Sequence, residues 1–154
     1  YFTVDSSPFF RPGIVGDIHR LPLATGSVDG VICRSVLEHV ERPWDACREI
    51  QRVLRPGGLA FLIVPSIYPD HARSGDGAYP DHWRFFESTM RLMLRGFSEI
   101  RVEKHGGWFQ AMSNFLPFQA RVRGLLDVFS HVLDTALRTK RRRTTPLLSV
   151  LARK

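Results

Sequence analysis

Two aspartates stand where short apolar runs give way to turn-forming residues. Asp5 follows residues 1–4, and Asp17 follows residues 13–15 after a single glycine. Short runs of aromatic and β-branched residues are typical of strands. In an open α/β sheet, ligands bind outside the carboxyl ends of the strands, so both carboxylates would lie on the binding side. The alternative for each acid is that it only caps a turn.

Polar residues also follow a third predicted strand, residues 28–33. Arg34 and Ser35 come directly after this strand, and Glu38 and His39 lie a few residues further on. The imidazole of His39 is suited to general acid–base catalysis, and it lies near the right end of the strand. The alternative is that Glu38 and His39 brace the helix that follows.

A further group of reactive side chains belongs to a long aperiodic segment, residues 66–86, rich in Pro, Gly, Asp, His and aromatic residues. We predict an ordered lid or substrate loop in place of a mobile linker, because the aromatic residues at its end can bury themselves. His82 could act as a base, and Arg84 could bind an anionic substrate beside Trp83. The alternative is that these side chains pack within the lid.

The elements that position these residues are two largely apolar runs around one amphipathic segment. Residues 28–33 and 59–64 are typical of parallel strands covered on both faces. Residues 43–54 carry apolar side chains at three- and four-residue steps, which predicts a helix. Arg55-Pro56-Gly57-Gly58 then stops the helix, since proline cannot continue it and glycine takes a positive φ. The fold class is therefore α/β.

The second half of the chain carries weaker periodic signals. They predict a short helix, a strand, a turn, one long amphipathic helix and a final strand, at residues 87–94, 97–104, 105–108, 115–138 and 146–152.

The size and composition predict one domain. A chain of 154 residues with 44% hydrophobic residues can bury a core but is short for two domains. No apolar run approaches the roughly eighteen residues that cross a bilayer, and no signal peptide opens the chain, so we expect a cytoplasmic protein. Cys33 and Cys47 lack the spacing of a metal site. We therefore predict no metal ligands and expect both to be small core residues.

The net charge of +7 is concentrated in the tail. Residues 1–109 hold thirteen basic and thirteen acidic residues, whereas residues 110–154 hold nine and two. A basic run is most often a solvated helix end. Its second interpretation is weak contact with an anionic membrane surface, and specific nucleic-acid binding is not expected because few aromatic residues accompany it. The residues concerned are Arg138, Lys140, Arg141, Arg142 and Arg143.

Five blocks occur in an order and spacing that resemble a known family. They are Asp5-Ser-Ser-Pro, Gly16-Asp17-x-x-x-Leu21-Pro22, Ser27-Val28-Asp29-x-Val31, Val36-Leu37-Glu38-His39-Val40 and Glu49-Ile50-x-Arg52-Val53-Leu54-Arg55-Pro56-Gly57-Gly58. Together they resemble class I S-adenosylmethionine-dependent methyltransferases, and most closely the small-molecule (type 11) group. A later block, Tyr79-Pro80-Asp81-His82-Trp83-Arg84-Phe85, is similar to one in some methyltransferases of surface-polysaccharide or sugar biosynthesis.

This resemblance implies a cofactor and roles for the residues around it. The cofactor is S-adenosylmethionine. Asp5 would accept hydrogen bonds from both ribose hydroxyls, and Asp17 would accept one from the adenine amino group, with Ile18 against the ring. Arg34 and Ser35 would lie beneath the reactive end of the cofactor. The implied function is methyl transfer to a small-molecule or sugar-linked acceptor, and the alternative is a non-catalytic module that binds a partner through its basic helix.

The resemblance also implies the architecture. The family has a Rossmann-like sheet, mostly parallel, with an antiparallel C-terminal edge strand. The single domain would comprise a cofactor-side core at 1–65, the lid at 66–86, and a C-terminal helix with edge strands at 87–154. The family's first strand and glycine-rich loop should precede Tyr1, so we expect a chain that is truncated at its N-terminus.

Overall fold

Two sheets form the framework of the fold. The computed structural model describes residues 1–75, 77–115, 119–137 and 145–154, with the backbone alone for 119–123. Strands β1 (Val4–Asp5) and β2 (Ile14–Val15) pair in parallel as a separate two-stranded sheet. The other strands form a four-stranded sheet in the order β3, β4, β6, β5, with bounds Val28–Arg34 for β3, Leu54–Pro65 for β4, Glu99–His105 for β5 and Leu147–Arg153 for β6.

The strand directions confirm the predicted fold class. Strands β3 and β4 are parallel, whereas β6 runs antiparallel to both of its neighbours, β4 and β5. The protein is therefore α/β, with a mostly parallel sheet and one antiparallel strand at its C-terminal end. Strand β6 lies one place inside the sheet, and β5 forms the outer edge.

Helix α1 (Pro43–Val53) covers one face of this sheet. Its buried side chains recur at one- and three-residue steps, and most of them join a single core with the inward side chains of the strands. Trp44, which the spacing placed on this apolar face, is instead 40% exposed, and its ring contacts Trp83 edge-on at 5.9 Å between centroids. The core-facing residues of α1 are Ala46, Cys47, Ile50 and Val53.

The connection from α1 to β4 is tighter than predicted. The helix ends at Val53, one residue early, and β4 begins at once with Leu54 paired to Val28. The pairing then shifts, so residues 55–58 form an irregularity within β4 and Gly57 takes a φ of +78°. The helix thus ends before the Pro-Gly-Gly sequence, as predicted. These residues do not form a loop between α1 and β4 but an irregularity within β4 itself.

The described chain has three more α-helices: α2 (Glu87–Met93), α3 (Trp108–Ser113) and α4 (Gln119–Ala136). The sequence predicted α4 as part of residues 115–138 but did not predict α3. The Asp134 carboxylate of α4 accepts hydrogen bonds from the first backbone N–H groups of α3, at Phe109 and Gln110, at 3.0 and 3.1 Å. A side chain at Gly107 would collide with this carboxylate, so glycine permits the close approach.

The helices leave apolar surface uncovered in the described chain. On the sheet, Ile32 is 81% exposed, and Phe61 and Leu151 are also exposed. The expectation that the parallel strands are covered on both faces is therefore wrong for the described residues. The predicted apolar face of α4 also stays exposed at Leu125 and Phe129.

Both cysteines are core residues, as predicted. Cys33 and Cys47 are free thiols that are almost completely buried. Burial raises the pKa of both thiols, that of Cys47 to about 12, so neither forms a thiolate near neutral pH.

The basic tail residues Arg138 and Lys140 to Arg143 lie outside the described residues, and so does the suggested membrane contact. Within the part of the chain that is described, no helix combines the length and the apolar character needed to cross a membrane.

Candidate functional site

A cavity of about 920 Å³ lies between the two-stranded sheet and β3. In the described chain, β1 pairs only with β2 and β3 only with β4, so unpaired strand edges border the cavity. Asp5, Asp17 and Ile18 all line it, together with residues along β3. The two acids that follow successive strands in the sequence therefore face one space.

Asp5 is the last residue of β1 and the first residue of the turn that follows. Its Oδ1 accepts a hydrogen bond from the backbone N–H of Ser7 at 2.8 Å, and the side chain is partly buried. Strand pairing supports this position, since the backbone N–H of Gly16 donates to the Asp5 carbonyl at 2.9 Å. The carboxylate thus caps a turn and lines the cavity at the same time.

Asp17 caps a short 3-10 helix, Ile18–Arg20. Its Oδ1 accepts from the backbone N–H of His19 at 2.9 Å and lies 2.7 Å from Nδ1 of the same imidazole. The backbone hydrogen bond from His19 lowers the pKa of Asp17, and the side-chain contact acts in the same direction. Asp17 is therefore an anionic acceptor near neutral pH.

Arg34 and Ser35 lie at the carboxyl end of β3. Both are exposed, and neither is among the described residues that line the cavity. Ser35 takes a φ of +50°, which is unusual for a residue with a side chain. Strain of this kind typically costs about 1 kcal/mol or more and persists only where the surroundings enforce it. Here the Ser35 N–H donates to Ile63 of β4 at 2.9 Å.

Arg84 organises the loop of residues 66–86. Its guanidinium makes a bidentate pair with Asp81, at 2.6 and 2.7 Å, and donates to the carbonyls of Tyr68, Pro69 and Trp83 at 2.7 to 2.8 Å. The predicted ordered loop therefore has a specific internal anchor. These donors serve the loop itself, which is the packing alternative raised for Arg84.

Trp83 and His82 occupy different environments in the same loop. The Trp83 indole donates to the carbonyl of Val40 at 2.8 Å and packs against the core. The His82 side chain is exposed, while its backbone N–H donates to the carbonyl of Glu38 at 2.7 Å. The loop is thus attached along the segment that follows β3.

Glu38 and His39 meet this loop on its inner side. His39 packs against Tyr79 and His71, with ring centroids 4.4 and 4.9 Å apart. Glu38 is only 1% exposed, and burial raises the pKa of its carboxyl group. Asp81 is a contrasting acid: burial opposes its ionisation, but hydrogen bonds from Arg84 and from the His71 N–H outweigh burial and lower its pKa to about 2.

His71 and Asp81 belong to this cluster, and the sequence did not single them out. They lie in the aperiodic loop, where no spacing rule relates them to Glu38. The available signal was compositional: the loop holds two histidines and several aspartates beside a dense aromatic end. Only the folded chain shows which of them meet.

Comparison with known proteins relates part of the chain to methyltransferases. Residues 5–62 match the family model described as a methyltransferase domain. A stretch of 42 residues, 27% of this chain and 16% of the relative, is 57% identical to an uncharacterized methyltransferase of Mycobacterium ulcerans. A longer match of 118 residues, 66% of this chain and 44% of the relative, is 31% identical to the mouse (Mus musculus) thiol S-methyltransferase TMT1B.

The fold is also similar to that of solved proteins. The crystal structure of an S-adenosylmethionine-dependent methyltransferase from Mesorhizobium loti aligns with 92% of this chain and 70% of that protein, with a TM-score of 0.55 and 20% identity. At this identity the likeness shows a shared fold. The chain spans less than half of the length of either curated relative.

Proposed function

We propose that the protein transfers a methyl group from S-adenosylmethionine to a small-molecule or sugar-linked acceptor. The proposal starts from the match of residues 5–62 to the methyltransferase domain family. The observation that carries the proposal is the placement of Asp5 and Asp17 on one cavity, inside the matched region. The name of the thiol methyltransferase relative supports a small acceptor.

The cavity residues suit the adenosine half of the cofactor. In this proposal, Asp5 accepts hydrogen bonds from the ribose hydroxyl groups, because a carboxylate offers two acceptor oxygens. Asp17 accepts a hydrogen bond from the adenine amino group, and its lowered pKa keeps it an acceptor at neutral pH. Ile18 supplies an apolar contact for the adenine ring, since it lines the same cavity.

The acceptor end of the site lies toward the segment after β3 and the loop of residues 66–86. Methyl transfer from a sulfonium needs alignment and exclusion of water, and it needs a base only when the acceptor must lose a proton. In this proposal Arg34 and Ser35 border the reactive end of the cofactor. His39 and His82 are the candidate bases, and Trp83 and Arg84 shape the loop that covers the acceptor.

A substitution at Asp5 tests the cofactor assignment. In the full-length gene product, Asp5→Ala is expected to weaken S-adenosylhomocysteine binding about tenfold or more, because a charge-assisted hydrogen-bond acceptor is lost. Isothermal titration calorimetry measures the affinity. Asp70→Ala is the matched control, since Asp70 makes the same kind of turn contact, to the Ala72 N–H at 2.8 Å, in the loop of residues 66–86.

The control separates cofactor binding from turn capping. Asp70→Ala is expected to bind S-adenosylhomocysteine within about twofold of the wild type. Equal affinity of the wild type and Asp5→Ala would exclude the role proposed for Asp5. Absence of binding in the wild type would instead favour the non-catalytic module.

A further inference from the structure

Three potential metal-binding atoms converge between the segment after β3 and the loop of residues 66–86. Nε2 of His39 lies 3.8 Å from Oε1 of Glu38, and Nε2 of His71 lies 3.6 Å from the same oxygen. Each residue offers one donor atom, and all three atoms lie within 4.8 Å of one another. Metal–ligand bonds of 2.0–2.1 Å in a tetrahedral site would place such atoms about 3.3 Å apart, so small side-chain rotations would close the set.

The carboxylate of this set lacks a hydrogen-bond partner within the described chain. Glu38 is 1% exposed, and neither of its oxygens accepts a hydrogen bond from another described residue. A buried polar group is normally paired, and an ionised one is costly to bury alone. A cation between Glu38 and the two imidazoles would supply the missing partner.

The imidazole of His39 is oriented as those of metal ligands commonly are. Nδ1 of His39 lies 2.5 Å from the Pro80 carbonyl, which can only accept, so Nδ1 carries the proton and Nε2 keeps its lone pair. Nδ1 of His71 lies 2.9 Å from Oδ2 of Asp81, although its angle is not that of a hydrogen bond. An acceptor behind a metal-binding histidine sets its tautomer and makes the ligand more basic, as the Pro80 carbonyl does for His39. For His71, the carboxylate of Asp81 lies close enough to take this part after a small rotation of the ring.

The surrounding charges favour a divalent cation. Arg84 is the nearby cation, and its charge is balanced by the bidentate pair with Asp81. When Glu38 is ionised, it therefore adds one negative charge that the pair of Arg84 and Asp81 does not balance. The His71 side chain is 30% exposed and opens the cluster to solvent, whereas His39 is mostly buried.

We propose that Glu38, His39 and His71 bind a divalent transition-metal ion, with Zn²⁺ or Co²⁺ as the chemical type. Two imidazoles and one carboxylate suit such ions better than Mg²⁺, which prefers oxygen ligands. Three protein ligands leave one position for water or an oxygen ligand. The ion would also tie the loop of residues 66–86 to the segment after β3. This site does not depend on the proposed methyl transfer. With an ion bound, both ring nitrogens of His39 are engaged, so His82 is then the candidate base.

Metal titration of the full-length gene product tests the site. After removal of bound metal with a chelator, Zn²⁺ is titrated in competition with a chromophoric chelator. The wild type is expected to bind one Zn²⁺ per chain at this site, and Mg²⁺ in excess should not displace it. His71→Ala and Glu38→Gln are each expected to weaken Zn²⁺ binding at least about tenfold. Loss of a group that only hydrogen-bonds to a metal ligand already lowers metal affinity by about that factor, and these two residues are the ligands themselves.

His82→Ala is the matched control, because His82 lies in the same loop but its exposed side chain is outside the ligand set. It should bind Zn²⁺ like the wild type. A measurement on the wild type alone guards against variants that fail to fold: Co²⁺ should give the intense visible absorption of a four-coordinate site. Equal Zn²⁺ binding by the wild type, His71→Ala and Glu38→Gln, or an absorption spectrum typical of octahedral Co²⁺, would overturn the proposal.

Discussion

Arg84→Ala is expected to lower the free energy of unfolding by about 3 kcal/mol, because it leaves the carboxylate of Asp81 buried without its partner. The Asp81 side chain is 1% exposed, and Arg84 donates both hydrogen bonds of the bidentate pair. The same substitution removes the donors that hold the carbonyls of Tyr68 and Pro69. Chemical denaturation monitored by tryptophan fluorescence measures the change, since Trp83 directly precedes Arg84 in the chain.

A matched arginine distinguishes a buried anchor from an ordinary ion pair. Arg91 pairs with Glu87 one helical turn away, at 3.0 Å, and both side chains are well exposed. Arg91→Ala is expected to cost about 0.5 kcal/mol or less, as exposed helical ion pairs do. Similar losses for Arg84→Ala and Arg91→Ala would show that Arg84 is not the anchor of the loop.

The Asp81 pair should also make stability depend on pH in acid. The pKa of Asp81 is lowered from its ordinary value of 3.8 to about 2 in the folded chain. A lowered pKa means that the folded state favours the ionised form, so the stabilisation is complete above pH 3.8 and is lost as the pH falls toward 2. A shift of this size corresponds to about 2 kcal/mol.

Asp81→Asn removes this titration and provides the comparison. The difference in unfolding free energy between the wild type and Asp81→Asn, measured with a chelator present, is expected to be constant above about pH 5 and to shrink between pH 4 and pH 2. A difference that does not vary across that interval would mean that Arg84 does not depress the pKa of Asp81.

The parts of the fold that were predictable are those with local signals. The strand, helix and strand around α1 follow from apolar periodicity and from a helix stop at Pro56, which act over a few residues. The start of β4 was misplaced by five residues because Leu54 pairs with Val28, a contact that depends on tertiary structure. A bulge between paired strands has no signature in the apolar pattern alone.

The helical region after β5 shows the same limit. Helix α3 has six residues, too few to display a helical period, and its N-terminus is capped by Asp134 from α4. A cap that comes from 25 residues further along the chain cannot be recognised by spacing. The aperiodic turn at Gly106 and Gly107 was recognised, because glycine is itself a local signal.

In the candidate site, too, the residues with local sequence signals were predictable and the others were not. Asp5 and Asp17 each follow a strand, and the rule for strand ends was enough to predict that they face one space. Glu38 and His71 are separated by 32 residues, most of them in α1 and β4, and the loop that carries His71 has no periodicity. Their approach depends on the Arg84 anchor and on the packing of Trp83, so it could be found only in the folded chain.

The buried carboxyl group of Glu38 is expected to lower the free energy of unfolding when it is ionised and no cation is bound. Its pKa is raised by burial above the ordinary value of 4.5, so the folded state favours the protonated form. Stability that depends on this group is therefore complete below pH 4.5 and is lost as the pH rises through the folded pKa. Above that pKa the chain carries a buried carboxylate that accepts no hydrogen bond from another described residue, a condition that a bound cation would relieve.

Glu38→Gln is accordingly expected to raise the free energy of unfolding by about 1 kcal/mol at pH 7 to 8 in the presence of a chelator, because a neutral amide is less costly to bury than a carboxylate. The gain should vanish near pH 4, where Glu38 is protonated. Glu49→Gln is the control for the same chemical change: Glu49 is paired with Arg52, so its replacement should not stabilise the protein. Thermal unfolding of the wild type, Glu38→Gln and Glu49→Gln across this pH range measures the differences in stability.

Excess Zn²⁺ should reverse the order of the wild type and Glu38→Gln, since an ion that binds only the folded state stabilises the protein that binds it more tightly. The two conditions test different statements. A loss of stability for Glu38→Gln in the chelator would mean that Glu38 has a partner in the apo protein. A gain in the chelator without reversal in Zn²⁺ would leave the buried carboxylate costly and exclude its role as a metal ligand.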